Sequence, residues 1–245
     1  MTEMKSLYIG TSGYTYKDWR GIFYPKGVAQ KDWLAFYAQH YNAVEINATF
    51  YRPFPEHVFT HWHDSTPDDF RFVLKAPKLI THEKMLVDVA QELDQFVSSS
   101  AALKQKRAAM LWQFPSSARK EALQVRFQQF LTLLPGSIKH VFEFRNDSWF
   151  NEEIYALLNR VDAGFVINDS PHFPSQHVTT DHLMYVRLHG PGALYTSTYS
   201  ADQLRAWADE IAPHLADEDT YLFFNNTSGG HALGNVNDLR QLLKS

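Results

Sequence analysis

Residues 141–150 read VFEFRNDSWF, a stretch that begins as a buried β-strand and then introduces charged side chains. Because successive side chains of a strand point to opposite faces, Glu143 and Arg145 share one face and the intervening aromatic side chains share the other. In a closed barrel of parallel strands, the aromatic face contacts the outer helices and the charged face points inward, near the C-terminal end of the strand. The stretch therefore favours a barrel with a polar interior at one end.

Seven more runs rich in β-branched or aromatic residues alternate along the chain with amphipathic segments. The eight strand candidates are residues 6–10, 43–47, 71–75, 108–114, 140–144, 164–168, 183–189 and 221–226. Helical patterns lie at residues 31–40, 88–105, 120–134, 151–159, 200–215 and 235–245. This alternation over 245 residues predicts an α/β fold, a single (β/α)8 barrel of the TIM type. An open doubly wound sheet is the alternative, since a strand count does not show closure.

The connection after the sixth strand candidate differs from the others. Residues 169–182 read DSPHFPSQHVTTDH, with two prolines and no helical period. Proline removes a backbone donor and interrupts a helix. The sequence therefore predicts an irregular connection in place of the helix after strand 6.

Composition limits the classes of protein to which the chain belongs. A hydrophobic content of 44% and the absence of a linker-like run predict one globular domain over residues 1–245. With no cysteine, disulfides, thiolate nucleophiles and sulfur-ligated metals are excluded. A net charge of −4 disfavours general nucleic-acid binding without excluding a local basic pocket.

The beginning of the chain and its hydropathy bear on location. The sequence MTEMKSLYIG reaches the first strand candidate at once, which leaves no room for a signal peptide. No run of about 18 apolar residues follows anywhere. We therefore expect a cytoplasmic protein without a membrane partner, and its oligomeric state stays open.

Polar side chains occupy the inward face near the C-terminal end of most strand candidates, where TIM barrels build their active sites. They are Glu45, Asn47, Lys75, Gln113, Glu143, Arg145, Arg187, His189, Asn225 and Asn226. Together with Asp169, three carboxylates would face three cations there. Such a network could fill the barrel mouth without any chemistry. Because buried ion pairs stabilise less than apolar packing does, their repetition on most strands favours a binding or catalytic site.

Seven segments also resemble, in order and spacing, those of the DUF72 or YecE-like family. They are IGTSGYTYKDWRGIFYP, FYAQHYNAVEINATFYRP, FRFVLKAPKLITH, LWQFPSS, FEFRNDSW, YVRLHGP and FFNNTSGGHALGN, and they span nearly the whole chain. The resemblance implies a TIM barrel and no particular reaction. The family motifs fall on Glu45, Asn47, Thr49, Tyr51, Lys75, Gln113, Glu143, Arg145, Trp149, Arg187, His189, Asn225 and Asn226.

Carboxylates in different environments and a histidine are suited to proton transfer, so Glu45, Glu143 and His189 are the predicted catalytic residues. The predicted substrate-binding residues are Asn47, Tyr51, Lys75, Gln113, Arg145, Trp149, Asp169, Arg187, Asn225, Asn226, Gly229 and Gly230. The two glycines are included because they precede the last helix, where barrels often bind phosphate on backbone N–H groups. These assignments predict an enzyme that applies acid–base chemistry to a small polar, phosphate- or carboxylate-bearing molecule.

Two alternatives remain open at this stage. Glu45, Glu143, Asp169 and His189 have donor atoms suited to a divalent metal, which would make the protein a phosphoester hydrolase acting on nucleotides or nucleic acid. Nearby cations would repel that metal, so no metal or other cofactor is predicted, although a divalent metal stays possible. The other alternative is a non-catalytic protein that binds a ligand in the same pocket.

Overall fold

A computed structural model describes residues 6–244 and shows eight parallel strands in a closed barrel, in sequential order. The strands are β1 (Leu7–Ser12), β2 (Ala43–Ile46), β3 (Arg71–Lys75), β4 (Arg107–Gln113), β5 (Lys139–Glu143), β6 (Ala163–Asp169), β7 (Leu183–Leu188) and β8 (Asp219–Phe224). β1 pairs with β8 and closes the sheet. The predicted TIM-type barrel is confirmed, and the open doubly wound sheet is wrong.

Eight α-helices surround the described barrel. They are α1 (Trp33–Tyr37), α2 (Ala48–Tyr51), α3 (Glu56–Asp64), α4 (Ala90–Ser100), α5 (Lys120–Leu133), α6 (Glu152–Arg160), α7 (Ala201–Ile211) and α8 (His231–Leu242). Two of them, α2 and α3, lie outside every predicted helical segment. The α3 helix forms because Phe59 and Trp62, three residues apart, pack on the barrel as one apolar stripe. Residue 245, at the end of the last predicted helix, lies outside the described residues.

The link from β6 to β7 contains no helix, as predicted. It folds back along β6 instead, since the Thr180 hydroxyl accepts from the Phe165 N–H at 2.8 Å and donates to the Ala163 carbonyl at 2.7 Å. One residue of the link, Phe173, contacts Arg145 at the barrel mouth.

Two layers fill the interior of the barrel. The apolar layer is formed by inward-facing side chains, namely Ala43, Val73, Ala109, Leu111, Val141, Val166, Leu183, Tyr185, Tyr221 and Phe223. The polar layer follows toward the C-terminal ends of the strands, because the residue two positions after Val141 is Glu143 and the one two positions after Tyr185 is Arg187. The fold therefore collects the predicted polar residues at one end of the barrel.

Among residues 6–244, none of the helices is both long enough and apolar enough to cross a membrane.

Candidate functional site

A pocket of about 520 Å³ opens at the C-terminal end of the barrel. Its lining side chains come from β-strand ends and the loops after them, namely Tyr16, Asn47, Phe50, Tyr51, Lys75, His82, Gln113, Arg145, Arg187, Tyr195, Asn225 and Thr227. Seven of the predicted binding residues lie in this lining: Asn47, Tyr51, Lys75, Gln113, Arg145, Arg187 and Asn225. The volume lies in the range typical of small-molecule sites.

Arg187 lies at the floor of the pocket and joins two carboxylates. Its Nε and Nη2 donate to the two Glu45 oxygens at 2.9 and 2.7 Å, and its Nη1 donates to Glu143. Glu45 also accepts from the hydroxyls of Tyr185 and Ser12, both at 2.7 Å. Arg187 is 1% exposed, and both carboxylates are fully buried. A bidentate pair of this kind holds the guanidinium plane in one orientation.

This network determines the charges of its members. Burial alone raises the pKa of Glu45 and of Glu143, but the Arg187 guanidinium outweighs burial and lowers the pKa of both below the usual range. Burial likewise lowers the pKa of Arg187, and the two carboxylates more than offset this and raise it. At neutral pH both glutamates are ionised, and their oxygens are occupied by donors. Their geometry suits them to positioning Arg187.

His189 lies behind Arg187 and outside the pocket lining. Its Nε2 is 3.4 Å from Arg187 Nη1, and its Nδ1 is 3.2 Å from the Arg187 carbonyl oxygen. Burial, followed by the charge of Arg187, lowers the pKa of His189 to about 3. The imidazole is therefore neutral at physiological pH, with Nε2 accepting and Nδ1 donating. The structure thus gathers the three predicted catalytic residues around Arg187, and none of the three lines the pocket.

Arg145 presents its guanidinium to the pocket. Its Nε donates to Glu143 at 2.7 Å, and its guanidinium carbon lies 4.0 Å from the centre of the Phe173 ring. Phe173 belongs to the irregular link between β6 and β7, so that link helps to hold the arginine. Within residues 6–244, the two Nη groups of Arg145 have no hydrogen-bond acceptor. Two donors of a fixed cation are thus available to a ligand.

Lys75 ends β3 and is only 8% exposed. The Thr49 hydroxyl donates to its carbonyl oxygen at 2.6 Å and fixes its backbone. Its Nζ lies 4.0 Å from the centre of the Phe50 ring and has no hydrogen-bond acceptor in the described part of the chain. Burial, followed by the charge of Arg187, lowers the pKa of Lys75 to about 7. Both protonation states of this amine are therefore populated near neutral pH.

His82 was not among the predicted site residues, yet it lines the pocket with Lys75. Its Nδ1 is 2.8 Å from the Thr81 hydroxyl, and its Nε2 is 3.5 Å from the Gln113 amide nitrogen. Burial, followed by the charge of Lys75, lowers the pKa of His82 to about 4. The one signal in the sequence was its place at the end of the family segment FRFVLKAPKLITH.

Asn168 is a second residue that sequence reasoning missed. It follows Val166 on the inward face of β6, pairs in register with Arg187 and is 2% exposed. Neither its side-chain oxygen nor its side-chain nitrogen has a partner among the described residues, and the Asn47 oxygen is likewise unpaired. Buried amides are normally hydrogen-bonded, so the unpaired oxygen of Asn47, which lines the pocket, suits a polar group of a ligand, whereas Asn168 lies outside the lining. Alternation along strand candidate GFVIN would have placed Asn168 inward.

Asp169 is turned away from the pocket, contrary to the sequence prediction. It is one residue beyond Asn168 and therefore faces outward, where it accepts from Trp207 Nε1 at 3.2 Å. The predicted balance of three carboxylates and three cations is thus wrong. Glu45 and Glu143 face Lys75, Arg145 and Arg187, so cations are in excess at the barrel mouth.

Trp149 and Asn226 also lie outside the pocket lining. Trp149 is fully buried in the outer layer, where it stacks on Phe144 with 4.5 Å between ring centres and donates from Nε1 to the Ala118 carbonyl at 2.7 Å. The Asn226 amide donates to the Ser197 carbonyl at 2.9 Å and holds the loop after β7. Both residues support the walls of the site from outside it.

Gly229 and Gly230 form a turn before α8 and offer no free anion-binding N–H groups. The Gly229 N–H donates to the Asp18 carboxylate at 2.8 Å, and the Gly230 N–H faces the Thr227 carbonyl at 3.2 Å. Their φ angles of +64° and +80° explain the choice of glycine, because other residues rarely adopt them. An anion at this turn would also meet the negative charge of Asp18.

A metal site lacks support from the donor set. Among residues 6–244, no group of three or more histidine, aspartate and glutamate side chains is arranged to hold a metal ion. Glu45 and Glu143 are bound to Arg187, and Asp169 points away from them.

Replacing Lys75 with methionine is expected to raise the free energy of unfolding by about 1 to 2 kcal/mol, because the desolvation cost of the ammonium outweighs its contact with Phe50. The gain is largest below pH 7, where Lys75 is protonated in both folded and unfolded protein. The gain shrinks as pH rises from about 7 toward the ordinary lysine pKa of 10.5. In this range the unfolded wild type still binds the Lys75 proton that the folded wild type has released, so a rise in pH stabilises the folded wild type. Urea unfolding at several pH values measures it.

Lys106→Met is the matched control for this measurement. Lys106 is 1% exposed, but its Nζ donates to the carbonyls of His63 and Thr66 at 2.6 and 2.7 Å. Methionine there leaves both carbonyls unpaired, so the variant should lose about 1 to 3 kcal/mol. A loss of stability in Lys75→Met comparable to that in Lys106→Met would contradict the description of Lys75 as an unpaired cation.

Comparison with known proteins agrees with this architecture. The family described as "Protein of unknown function DUF72" matches residues 8–245. The UPF0759 protein YunF of Bacillus subtilis is 27% identical over 97% of this chain and 94% of its own length. The UPF0759 protein YecE of Escherichia coli strain K12 is 31% identical over 63% of this chain and 54% of its own length.

Solved structures give the same result. A DUF72 family protein of Thermotoga maritima superposes with a TM-score of 0.87 and 28% identity, covering 98% of this chain and 99% of that one. One from Enterococcus faecalis gives a TM-score of 0.83 at 20% identity over the full length of both chains, which shows the fold alone. With the family matched over nearly every described residue and its motifs gathered around one pocket, the chain belongs to the DUF72 family.

Proposed function

We propose that the protein is an enzyme whose barrel-mouth pocket binds a small molecule carrying a carboxylate or phosphate group and acts on it by proton transfer. The excess of cations in the pocket carries this proposal. Arg187 is neutralised by Glu45 and Glu143, whereas Arg145 Nη and Lys75 Nζ face the pocket without a protein acceptor within residues 6–244. Although Arg145 Nε donates to Glu143, cationic donors without a protein acceptor in a buried pocket favour an anionic ligand.

The binding roles follow from the free donors. Arg145 offers two Nη groups in a fixed plane, which matches the paired oxygens of a carboxylate or phosphate. Lys75, in the protonated form that is populated at and below about pH 7, adds a second positive charge from β3. The buried side-chain oxygen of Asn47, in the pocket lining, is unpaired among the described residues, so it is suited to hydrogen-bonding the uncharged part of the ligand.

In this proposal the residues that transfer protons are Lys75 and His82, both of which line the pocket. Lys75, with its pKa lowered to about 7, is populated both as acid and as base near neutral pH, which is the condition for efficient general acid–base catalysis. His82 is a neutral imidazole beside it. In this proposal Glu45, Glu143 and His189 act indirectly, by holding Arg187 and its charge at the pocket floor.

The two alternatives differ from this proposal in measurable ways. A phosphoester hydrolase dependent on a divalent metal requires free carboxylates, whereas both inward-facing ones bind Arg187. Binding that depends on added metal would favour it nonetheless. A non-catalytic binding protein would use the same pocket and show binding without turnover of any bound molecule.

Thermal unfolding with added ligands tests the proposal. Inorganic phosphate, glycolate, sugar phosphates and nucleotides are each compared with and without Mg²⁺. A ligand at about 100 times its Kd should stabilise the wild type by about 2.7 kcal/mol, without any need for metal. Arg145→Met should abolish this shift because it removes the free Nη groups.

Arg71→Met is the control for that variant. Arg71 begins β3 at the opposite end of the barrel, and its guanidinium also lies near an aromatic ring, 5.6 Å from the centre of Tyr8. This variant should keep the full ligand-induced shift. If no anion raises the melting temperature of the wild type, or if both arginine variants lose the shift equally, the proposed anion site is wrong.

A further inference from the structure

Two lysines are buried in the described part of the chain, and their surroundings differ in kind. Lys106 Nζ donates to two backbone carbonyls and lies 3.9 Å from the Asp68 carboxylate. Burial lowers the pKa of Lys106, but its two carbonyl acceptors and the Asp68 carboxylate favour the ammonium form. Lys75 Nζ instead faces the pocket, 4.0 Å from the centre of the Phe50 ring and without a hydrogen-bond acceptor among residues 6–244. Besides burial, the charge of Arg187 lowers the pKa of Lys75 and outweighs the effect of Glu143. The fold therefore disfavours protonation of Lys75. Of the two buried lysines, Lys75 is the one that lines the pocket.

An amine without its proton is a nucleophile toward a carbonyl carbon. Enzymes activate lysine for this reaction by desolvation or by a neighbouring cation. Lys75 has both features, since it is 8% exposed and shares the pocket with two arginines. A lysine activated in this way can bond covalently to its substrate.

We propose that Lys75 forms an imine with an aldehyde or ketone that also carries a carboxylate or phosphate group, the anionic group being held by Arg145. This inference rests on the proposed function and names the class of its substrate. The free amine population near neutral pH, from the pKa lowered to about 7, supports it.

The chemical step is balanced without an oxidant or reductant. The Lys75 nitrogen lone pair adds to the carbonyl carbon, and a C–N bond forms as the carbonyl π electrons move to oxygen. That oxygen takes up one proton from the attacking nitrogen and one from solvent, and it leaves as water when the C–O bond breaks and the nitrogen lone pair forms the C=N bond. A protonated C=N bond between Lys75 and the substrate remains, and it draws electrons from the adjacent carbon.

His82 is placed to move those protons. Its Nδ1 is engaged by the Thr81 hydroxyl at 2.8 Å, which leaves Nε2 toward Gln113 and the pocket. The neutral imidazole can take a proton from the nitrogen and return it to the departing oxygen. It therefore supplies the acid–base partner that imine formation requires.

The backbone around His82 is unusual in a way that suits a functional role. His82 lies in a π-helix, Leu79–Glu83, a conformation found often at functional sites. The segment then passes through Met85, Leu86 and Asp88, whose φ angles of +46°, +66° and +48° are rare for residues other than glycine. Each such residue costs about 1–3 kcal/mol, so this strain is retained for the placement of the loop.

Reductive trapping tests the imine. Wild-type protein is incubated near pH 7 with glyoxylate, pyruvate or glycolaldehyde phosphate and sodium cyanoborohydride, and the modified lysines are located by peptide mass mapping. We expect one rapid modification at Lys75, faster as pH rises through about 7. Lys106, equally buried but hydrogen-bonded, should stay unmodified, and exposed lysines should react slowly and without saturation.

Lys75→Arg separates covalent chemistry from binding. Arginine keeps the positive charge, so glycolate, an anion without an aldehyde or ketone group, should still raise the melting temperature of the variant. Trapping should be lost. Arg145→Met should slow trapping of the wild-type lysine at least tenfold by removing the anion contact, an effect of about 1.4 kcal/mol.

The outcomes distinguish the two proposals. If glycolate or phosphate stabilises the wild type but none of the three carbonyl probes modifies Lys75 faster than the exposed lysines, the imine is wrong and the anion site stands. If no anion stabilises the wild type, the proposed function fails, and this inference fails with it. Selective trapping at Lys75 that saturates with probe concentration supports both.

Discussion

Replacing Arg187 with methionine is expected to lower the free energy of unfolding by about 3–5 kcal/mol, the cost of leaving a buried charge without its partner. Arg187 is the shared partner of Glu45 and Glu143. Arg145 still contacts Glu143 in the variant, whereas Glu45 keeps only the hydroxyls of Tyr185 and Ser12. Glu45 is therefore the carboxylate that pays the larger desolvation cost.

The pH dependence of stability should change sign in this variant. In the wild type the pKa of each glutamate is lower folded than unfolded, so its contribution is present at neutral pH and is lost as pH falls below the ordinary value of 4.5. Without Arg187, burial raises the pKa of Glu45 above that value. The folded variant then binds a proton that the unfolded chain releases, and its stability falls as pH rises above 4.5.

Urea unfolding between pH 4 and pH 8 measures both effects. Adding Glu45→Gln to Arg187→Met should recover much of the loss, because Glu143 keeps Arg145 as its partner and residue 45 no longer carries an uncompensated charge. Arg107→Met is the control, since Arg107 donates to neutral acceptors, the Val97 carbonyl at 2.7 Å and the Ser100 hydroxyl at 2.8 Å. A loss below about 1 kcal/mol with an unchanged pH profile would show that the network is not held together by Arg187.

The sequence was sufficient for the barrel and for the inward face of its strands. Alternation with a period of two is a strong signal, and in β5 and β7 it placed Glu143 and Arg187 inward without knowledge of any contact. The count of eight strand candidates favoured a closed barrel, and the pairing of β1 with β8 shows the closure. The irregular link after β6 was predicted from its two prolines.

The assignments that depended on distant contacts were less accurate. Asp169 and Asn168 are neighbours, and strand candidate 164–168 ended between them, so the alternation was not extended to show that Asp169 faces outward. The N–H group of Gly229 is occupied by Asp18, which lies 211 residues earlier in the chain. No local pattern encodes such a partner. The absence of any acceptor for Lys75 likewise emerges only from packing.

Trp149 was predicted from the sequence to bind the substrate, whereas the structure places it in the outer layer. Variants of Trp149 can therefore test whether the residue packs or binds. Besides Phe144, it contacts Phe127 with 5.1 Å between ring centres. Trp149→Ala should therefore lower the free energy of unfolding by about 3–5 kcal/mol, through a cavity and an unpaired Ala118 carbonyl. Trp149→Phe refills most of the space and should lose less.

Tyr51→Ala should have the opposite effects, changing ligand binding and not stability, so it is compared with Trp149→Phe. Tyr51 lines the pocket and is 71% exposed, so its removal should leave stability nearly unchanged. Each variant is titrated with phosphate at a temperature where it is fully folded. Trp149→Phe should keep the wild-type affinity, whereas Tyr51→Ala should weaken it because a wall of the pocket is lost. A buried ring that only packs in the outer layer has no contact with the ligand, so its replacement by phenylalanine should not change the affinity for phosphate. Weaker phosphate binding in Trp149→Phe than in Tyr51→Ala would therefore contradict a packing role and indicate that Trp149 belongs to the binding site.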